Sequence, residues 1–118
     1  MAKVNGAANR RKGHALERLT AGEFRGLGYS LAVTSRYGSR LLDDCKVDIS
    51  GIPFNVQTKS GYEALKFKGY VEILDQMKSL LSEKIPERKD MPSMIFHKKG
   101  KETLVVMRKE EFYKLIVK

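Results

Sequence analysis

The stretch Cys45 to Gly61, CKVDISGIPFNVQTKSG, limits what this chain can fold into more than any other segment. Apolar and polar residues alternate on both sides of Ser50-Gly51-Ile52-Pro53, which predicts two short strands joined by a turn. Successive side chains of a strand point to opposite faces, so Cys45, Val47 and Ile49 share one face with Phe54, Val56 and Thr58. Lys46, Asp48 and Ser50 share the other with Asn55, Gln57 and Lys59. A two- or four-residue loop brings Asp48, Gln57 and Lys59 together.

That trio has two readings. A carboxylate, an amide carbonyl and an ammonium on adjacent strands suit a magnesium-dependent phosphodiester site, because hard cations take oxygen ligands such as Asp48 and the Gln57 carbonyl. Lys59 then serves as a point charge for the attacking water or the phosphate. The polar face of any half-solvated hairpin has the same composition, so the hairpin alone leaves both open.

A chain of 118 residues is one domain by size, with room for a single core. Twenty-three Lys and Arg against fourteen Asp and Glu give net +9. A sequence pI near 9.7 points to a polyanionic partner, nucleic acid or an acidic membrane surface. Cys45 is the one cysteine, which excludes an internal disulfide and fits a reducing compartment; on the apolar face it reads as a buried thiol. No run reaches the roughly 20 apolar residues of a membrane helix, and MAKVNGAANRRKG lacks the apolar core of a signal peptide. A cytoplasmic, intracellular protein is expected.

In chain order, Met1 to Asn9 read as flexible. Arg10 to Leu27 has helical periodicity, with Leu16, Leu19, Phe24 and Leu27 in one arc, Glu17 at its margin, Glu23 projecting into it, and Gly28 as the cap. Tyr29 to Thr34 reads as a strand and Ser35 to Asp44 as a loop. Beyond the hairpin, Tyr62, Phe67 and Tyr70 interleave with Lys66 and Lys68, a pattern that serves base stacking or a protein interface equally. Glu72 to Ile85 is an amphipathic helix before Pro86. Ser93 to His97 and Thr103 to Met107 form a second hairpin across Lys98 to Lys101; Glu110 to Val117 is a last helix packed by Phe112, Leu115 and Ile116. The order αβββαββα describes an α/β domain, a mixed sheet flanked by helices.

Several of these segments together resemble a known family. RKGHALER (Arg11 to Arg18), Gly28 and Tyr29 eleven and twelve positions after Glu17, then VTSRYGSR, VDI and NVQTKS, follow the order of the archaeal-type Holliday junction resolvases of the PD-(D/E)xK nuclease superfamily. The likeness covers the first half of the chain; beyond Gly61 it rests on element order. It implies catalytic and metal-binding roles for Glu17, Asp48 and Gln57, a catalytic role for Lys59, and a functional serine at Ser39 or Ser35. Two positions depart from the pattern. Val47 stands for the usual proline, which is not a ligand, and Gln57 stands for a glutamate, removing one negative charge from the metal's ligands. A QxK pattern also resembles the VRR-NUC branch of that superfamily.

The expectation is a single nuclease-like domain over residues 1–118, dependent on Mg²⁺ (Mn²⁺ also serving), that cuts branched DNA as a homodimer. Arg10, Arg11, Lys12, Arg36 and Arg40 would track the phosphate backbone. Three other classes remain: a nuclease of the same fold acting on flaps, single strands or duplex, a DNA-binding protein without catalysis, and a basic ribonucleoprotein component. A phage or mobile element suits so short a chain as well as a cellular genome.

Overall fold

A computed structural model of the chain describes residues 6–61 and 65–117, with side chains from residue 10 onward. Helix α1 (Gly6–Gly26) leads through a turn to strand β1 (Val33–Thr34) and two short helices, α2 (Ser35–Gly38) and α3 (Arg40–Asp44). Strands β2 (Ile49–Ser50) and β3 (Asn55–Ser60) follow, then helix α4 (Phe67–Lys84) and a 3₁₀ turn at Pro86–Arg88. Strands β4 (Ser93–Lys99) and β5 (Glu102–Val106) and helix α5 (Lys109–Ile116) complete the chain. The sheet β3-β4-β5 is mixed: β3 and β4 run parallel, as the α4 crossover requires, and β4 and β5 form an antiparallel hairpin. β1 and β2 make a separate antiparallel pair, Val33 facing Ser50 and Thr34 facing Ile49. This is an α/β fold with a three-stranded mixed sheet and flanking helices. Its radius of gyration, 14.2 Å, is near the roughly 13.5 Å of one compact unit of this length.

The core lies on both faces of that sheet. On one, Leu74, Met77 and Leu81 of α4 meet Val47 and Ile95; on the other, Ala21 and Phe24 of α1 meet Ile49, Val56 and Met94. Met77, Leu81, Ile95, Val47 and Val56 are completely enclosed, and each such side chain contributes on the order of 1.5–3 kcal/mol. Gly51 has φ +80°, and a Cβ there would run into the Leu31 carbonyl, so the turn between β2 and β3 admits only glycine. Arg88 braces the same turn, donating to the carbonyls of Ile52 and Phe54 and to Asn55 Oδ1. Among the described residues no helix is long and apolar enough to cross a membrane.

Several expectations need correction. Helix α1 begins at Gly6, so residues 6–9 are helical; residues 1–5 and Tyr62 lie outside the described set. Its buried face is Leu16, Thr20, Ala21 and Phe24, while Leu19 is 55% and Leu27 75% exposed. At 100° per residue this turns the inward face by roughly 60° from the leucine arc. Small residues win because Thr20 and Ala21 let the helix approach the sheet, and Thr20 Oγ1 satisfies itself on the Leu16 carbonyl at 2.8 Å. The rotation carries Glu17 towards the sheet and leaves Glu23 in solvent.

The strand expected at Tyr29 to Thr34 shrinks to two residues because Tyr29 to Ala32 forms a turn, with Ala32 N–H donating to the Tyr29 carbonyl at 3.0 Å. Ser35 to Asp44 is helical, and Ser39 caps α3 by accepting from Leu42 N–H at 3.2 Å. The strand expected from Cys45 begins only at Ile49, because Lys46 takes a left-handed conformation, φ 68°. Lys46 N–H donates to the Asp43 carbonyl and Val47 N–H to the Leu42 carbonyl, both at 3.0 Å, while Leu42 and Val47 share the core. That is a Schellman stop with lysine in the position where glycine is usual. Cys45, Val47 and Ile49 therefore do not share a face: the first two join the α4 core and Ile49 the α1 core. Helix α5 forms, but none of its residues is buried.

Candidate functional site

The stop at Lys46 sets the position of Asp48. Val47 drops into the α4 core, Ile49 into the α1 core, and Asp48 lies where the chain crosses the plane of the sheet. Its backbone is held from both sides: Asp48 N–H donates to the Val56 carbonyl, and its carbonyl accepts from Ser35 N–H, each at 2.7 Å. Its side chain continues the ladder, with Oδ2 accepting from Thr58 N–H at 2.7 Å and from Thr58 Oγ1 at 3.0 Å. Asp48 thus replaces a strand carbonyl at the point where β2 parts from β3, and among the described residues no donor reaches Oδ1. Burial raises the Asp48 carboxyl to about 6. The Thr58 N–H works against that rise, the charge of Glu17 reinforces it, the Thr58 hydroxyl opposes it, and Asp43 adds a smaller upward push.

Glu17 reaches this place from the inward side of α1. Its side chain is 13% exposed, and its Oε2 accepts from Arg36 Nε at 3.0 Å. Arg36, expected on the phosphate backbone, is therefore engaged as the counter-charge of Glu17. Of the two serines, Ser35 is the one bonded to Asp48 through its backbone; its hydroxyl is enclosed and without a partner among the described residues. Ser39 caps α3 instead.

Gln57 lies between the two β3 residues that bond to Asp48, Val56 and Thr58. It leaves the strand on the α4 side, in register with Ile95, and is 7% exposed. Gln57 Oε1 is buried and accepts no hydrogen bond from the described residues, an arrangement that costs on the order of 1–3 kcal/mol unless something fills it. Lys59 follows on the same side, half-buried beside His97, which shares a 2.8 Å hydrogen bond with the Tyr70 hydroxyl. Tyr70 is thereby tied into the fold, while Phe67 is exposed at the start of α4. Arg10, Arg11 and Lys12 line the exposed start of α1, and Arg40 is exposed on α3.

The structure therefore gathers Glu17, Asp48 and Ser35, whereas Gln57 and Lys59 leave β3 on its α4 side, opposite to Thr58, because β2 pairs with β1 and not with β3 as a hairpin would require. Thr58 is the residue that sequence reasoning missed, because alternation assigns it to the apolar row and hides that its N–H and hydroxyl both face Asp48. Among the described residues no group of three or more His, Cys, Asp or Glu side chains is arranged to hold a metal ion. The oxygens of a kind that a hard cation takes are the carboxylates of Asp48 and Glu17 and, enclosed and without a partner among the described residues, Ser35 Oγ and, on the α4 side, Gln57 Oε1. Comparison with protein-family models, with curated proteins and with solved structures finds no match for this chain.

Proposed function

We propose that this chain is a metal-dependent, structure-selective DNA endonuclease that cleaves branched DNA, four-way junctions foremost, with a QxK form of the PD-(D/E)xK site. The observation that carries the reading is the meeting of two acids, Glu17 and Asp48, at a carboxyl that burial and the charge of Glu17 push up to about 6. Two acids that raise one another's cost of ionisation describe a place that a divalent cation would relieve. Asp48, Gln57 and Glu17 would hold Mg²⁺ or Mn²⁺, with Ser35 rather than Ser39 as the nearby hydroxyl. When bound, the cation activates water and offsets charge on the phosphate.

The protein's own groups supply the rest. Thr58 fixes one Asp48 oxygen and so aims the other outwards. Lys59 brings a cation to the negative charge that develops on the phosphoryl oxygens and on the leaving oxygen. Arg36 holds Glu17 at 3.0 Å and is placed to meet a phosphate if that pair opens. Arg10, Arg11, Lys12 and Arg40 supply sequence-independent backbone contacts, and the +9 charge favours their partner. Cutting two opposed strands asks for two equivalent sites, which a homodimer provides.

The test is cleavage of an end-labelled four-way junction beside a linear duplex of matching sequence, in Mg²⁺ and in EDTA. Paired nicks confined to the junction and dependent on the cation are expected. Asp48→Ala and Lys59→Ala should abolish them while DNA affinity stays nearly unchanged; cutting at the original rate by either variant refutes the site assignment. A second reading is favoured by one observation, the neutral side chain at Gln57 and the resulting absence of a three-acid cluster among the described residues. A binding protein of the same fold would hold junctions equally in EDTA and yield no product.

A further inference from the structure

Tyr37 is the most exposed large hydrophobic side chain among the described residues, 88% in water. It stands on α2 next to Arg36 and two positions after Ser35, the residues bonded to Glu17 and Asp48. Every other residue of that short helix is tied down. Ser35 is enclosed and donates its N–H to the Asp48 carbonyl at 2.7 Å, and Arg36 Nε donates to Glu17 Oε2 at 3.0 Å. Gly38 lies so close to β1 and β2 that a Cβ there would come within 2.5 Å of Val33 Cγ2 and Ser50 Oγ. Ser39 then closes the turn, its N–H donating to the Ser35 carbonyl at 2.8 Å and its hydroxyl capping α3. The backbone at Tyr37 is thus fixed from both sides, while its ring is left to water.

A ring mounted in this way makes its contact with something outside the chain. Arg36 precedes it and Arg40, exposed at the start of α3, follows it; Asp43 and Asp44 lie at the far end of α3. A flat aromatic ring between two guanidinium groups suits a nucleobase with its phosphates. Every base offers a π-face to stack on, and the phosphates on either side of it offer negative charge. In a continuous duplex both faces of a base are already covered by its neighbours, and drawing one out is costly. At a branch point or a single-stranded end a face is free. Tyr37 can therefore gain its stack only where the duplex is interrupted.

We propose that Tyr37 stacks on an unstacked nucleobase at a branch or single-stranded end, and so selects where on DNA the Asp48 and Glu17 site is set down. The inference rests on the DNA-binding part of the proposed function and not on catalysis. Its test is a four-way junction carrying 2-aminopurine at the branch point, beside a linear duplex carrying it internally, each titrated with the full chain in EDTA. Wild type should change the emission of the junction and leave that of the duplex alone. Tyr37→Ala and Tyr37→Leu should bind the junction roughly 5- to 100-fold more weakly, the loss of one base stack, and Tyr37→Phe within about twofold of wild type. Duplex affinity should be the same in all four proteins. Because the side chain is exposed, each variant keeps its fold, which circular dichroism would verify. The chain has no tryptophan, so Tyr37→Trp introduces a single one, whose emission the junction should quench and the duplex should not. An unchanged 2-aminopurine signal, or an alanine variant that binds the junction as tightly as wild type, overturns the proposal. So does an alanine variant that loses junction and duplex affinity alike, or a wild type that binds neither DNA. Junction binding that depends on Tyr37 but yields no product in Mg²⁺ leaves the proposal standing and removes the nuclease reading. Junction cleavage with wild-type rate and affinity by Tyr37→Ala does the reverse.

Discussion

Asp48→Asn removes a negative charge from a position where the fold holds the carboxyl at about 6 rather than the ordinary 3.8. The folded pKa is raised above the unfolded one, so between those values the folded chain keeps a proton that the unfolded chain has released. The stabilisation associated with Asp48 is therefore complete below pH 3.8 and lost as pH rises through about 6. A shift of this size corresponds to about 3 kcal/mol in full, and to about 2 kcal/mol between pH 4.5 and pH 8. The asparagine has no charge to desolvate, and its carbonyl still accepts from Thr58 N–H and Oγ1, the two contacts that fix the side chain. The variant should therefore gain on wild type by about 2 kcal/mol when urea unfolding at pH 8 is compared with pH 4.5. Under the proposed function the same variant cuts nothing, which is the stability–activity exchange expected of a strained site. Equal pH dependence of the two proteins would refute the argument, since it would mean that Asp48 ionises in the folded chain without cost.

Two other outcomes follow from the local geometry. Gln57→Glu puts a carboxylate at a position 7% exposed, so in EDTA it should lose roughly 1–3 kcal/mol. Mg²⁺ should then raise its melting temperature more than that of wild type, and an equal rise in both would place the cation elsewhere. Lys46→Gly relieves a left-handed lysine at φ 68° and should stabilise by about 0.5–1 kcal/mol after the entropy of glycine is subtracted, read as a higher urea midpoint with unchanged slope.

What could be read in the sequence was what local pattern decides. The turn at Gly51, the α4 stripe of Leu74, Met77 and Leu81, and the basic hairpin between β4 and β5 all repeat with the period of their own element. What could not be read depended on contacts distant in the chain. The leucines of α1 are its most apolar residues, but close approach to the sheet selected Thr20 and Ala21, and this choice decided that Glu17 faces Asp48. The end of α3 carries no glycine, so a strand pattern running through Lys46 concealed a helix stop. Ser39 reads as a loop serine until its role as the cap of α3 is seen, and that role leaves Ser35 as the serine at Asp48. Helix α5 has the periodicity of a packed helix, and nothing in that pattern says that its own chain covers its apolar residues only by half.

The neutral side chain at 57 also makes sense of the charges around it. Glu17 has a partner in Arg36 at 3.0 Å, whereas Asp48 has hydrogen bonds but no cation of its own, and its carboxyl rises accordingly. A glutamate at 57 would add a second buried carboxylate while Arg36 already serves Glu17, and the chain would be less stable without a bound cation than with glutamine there. With glutamine the added cost is one unfilled acceptor, of the order of a single lost hydrogen bond. Glutamine thus gives up attraction for a cation and keeps stability without one. Under the proposed function, such a site should bind its metal weakly and fill only when a phosphate oxygen on DNA completes the ligand set.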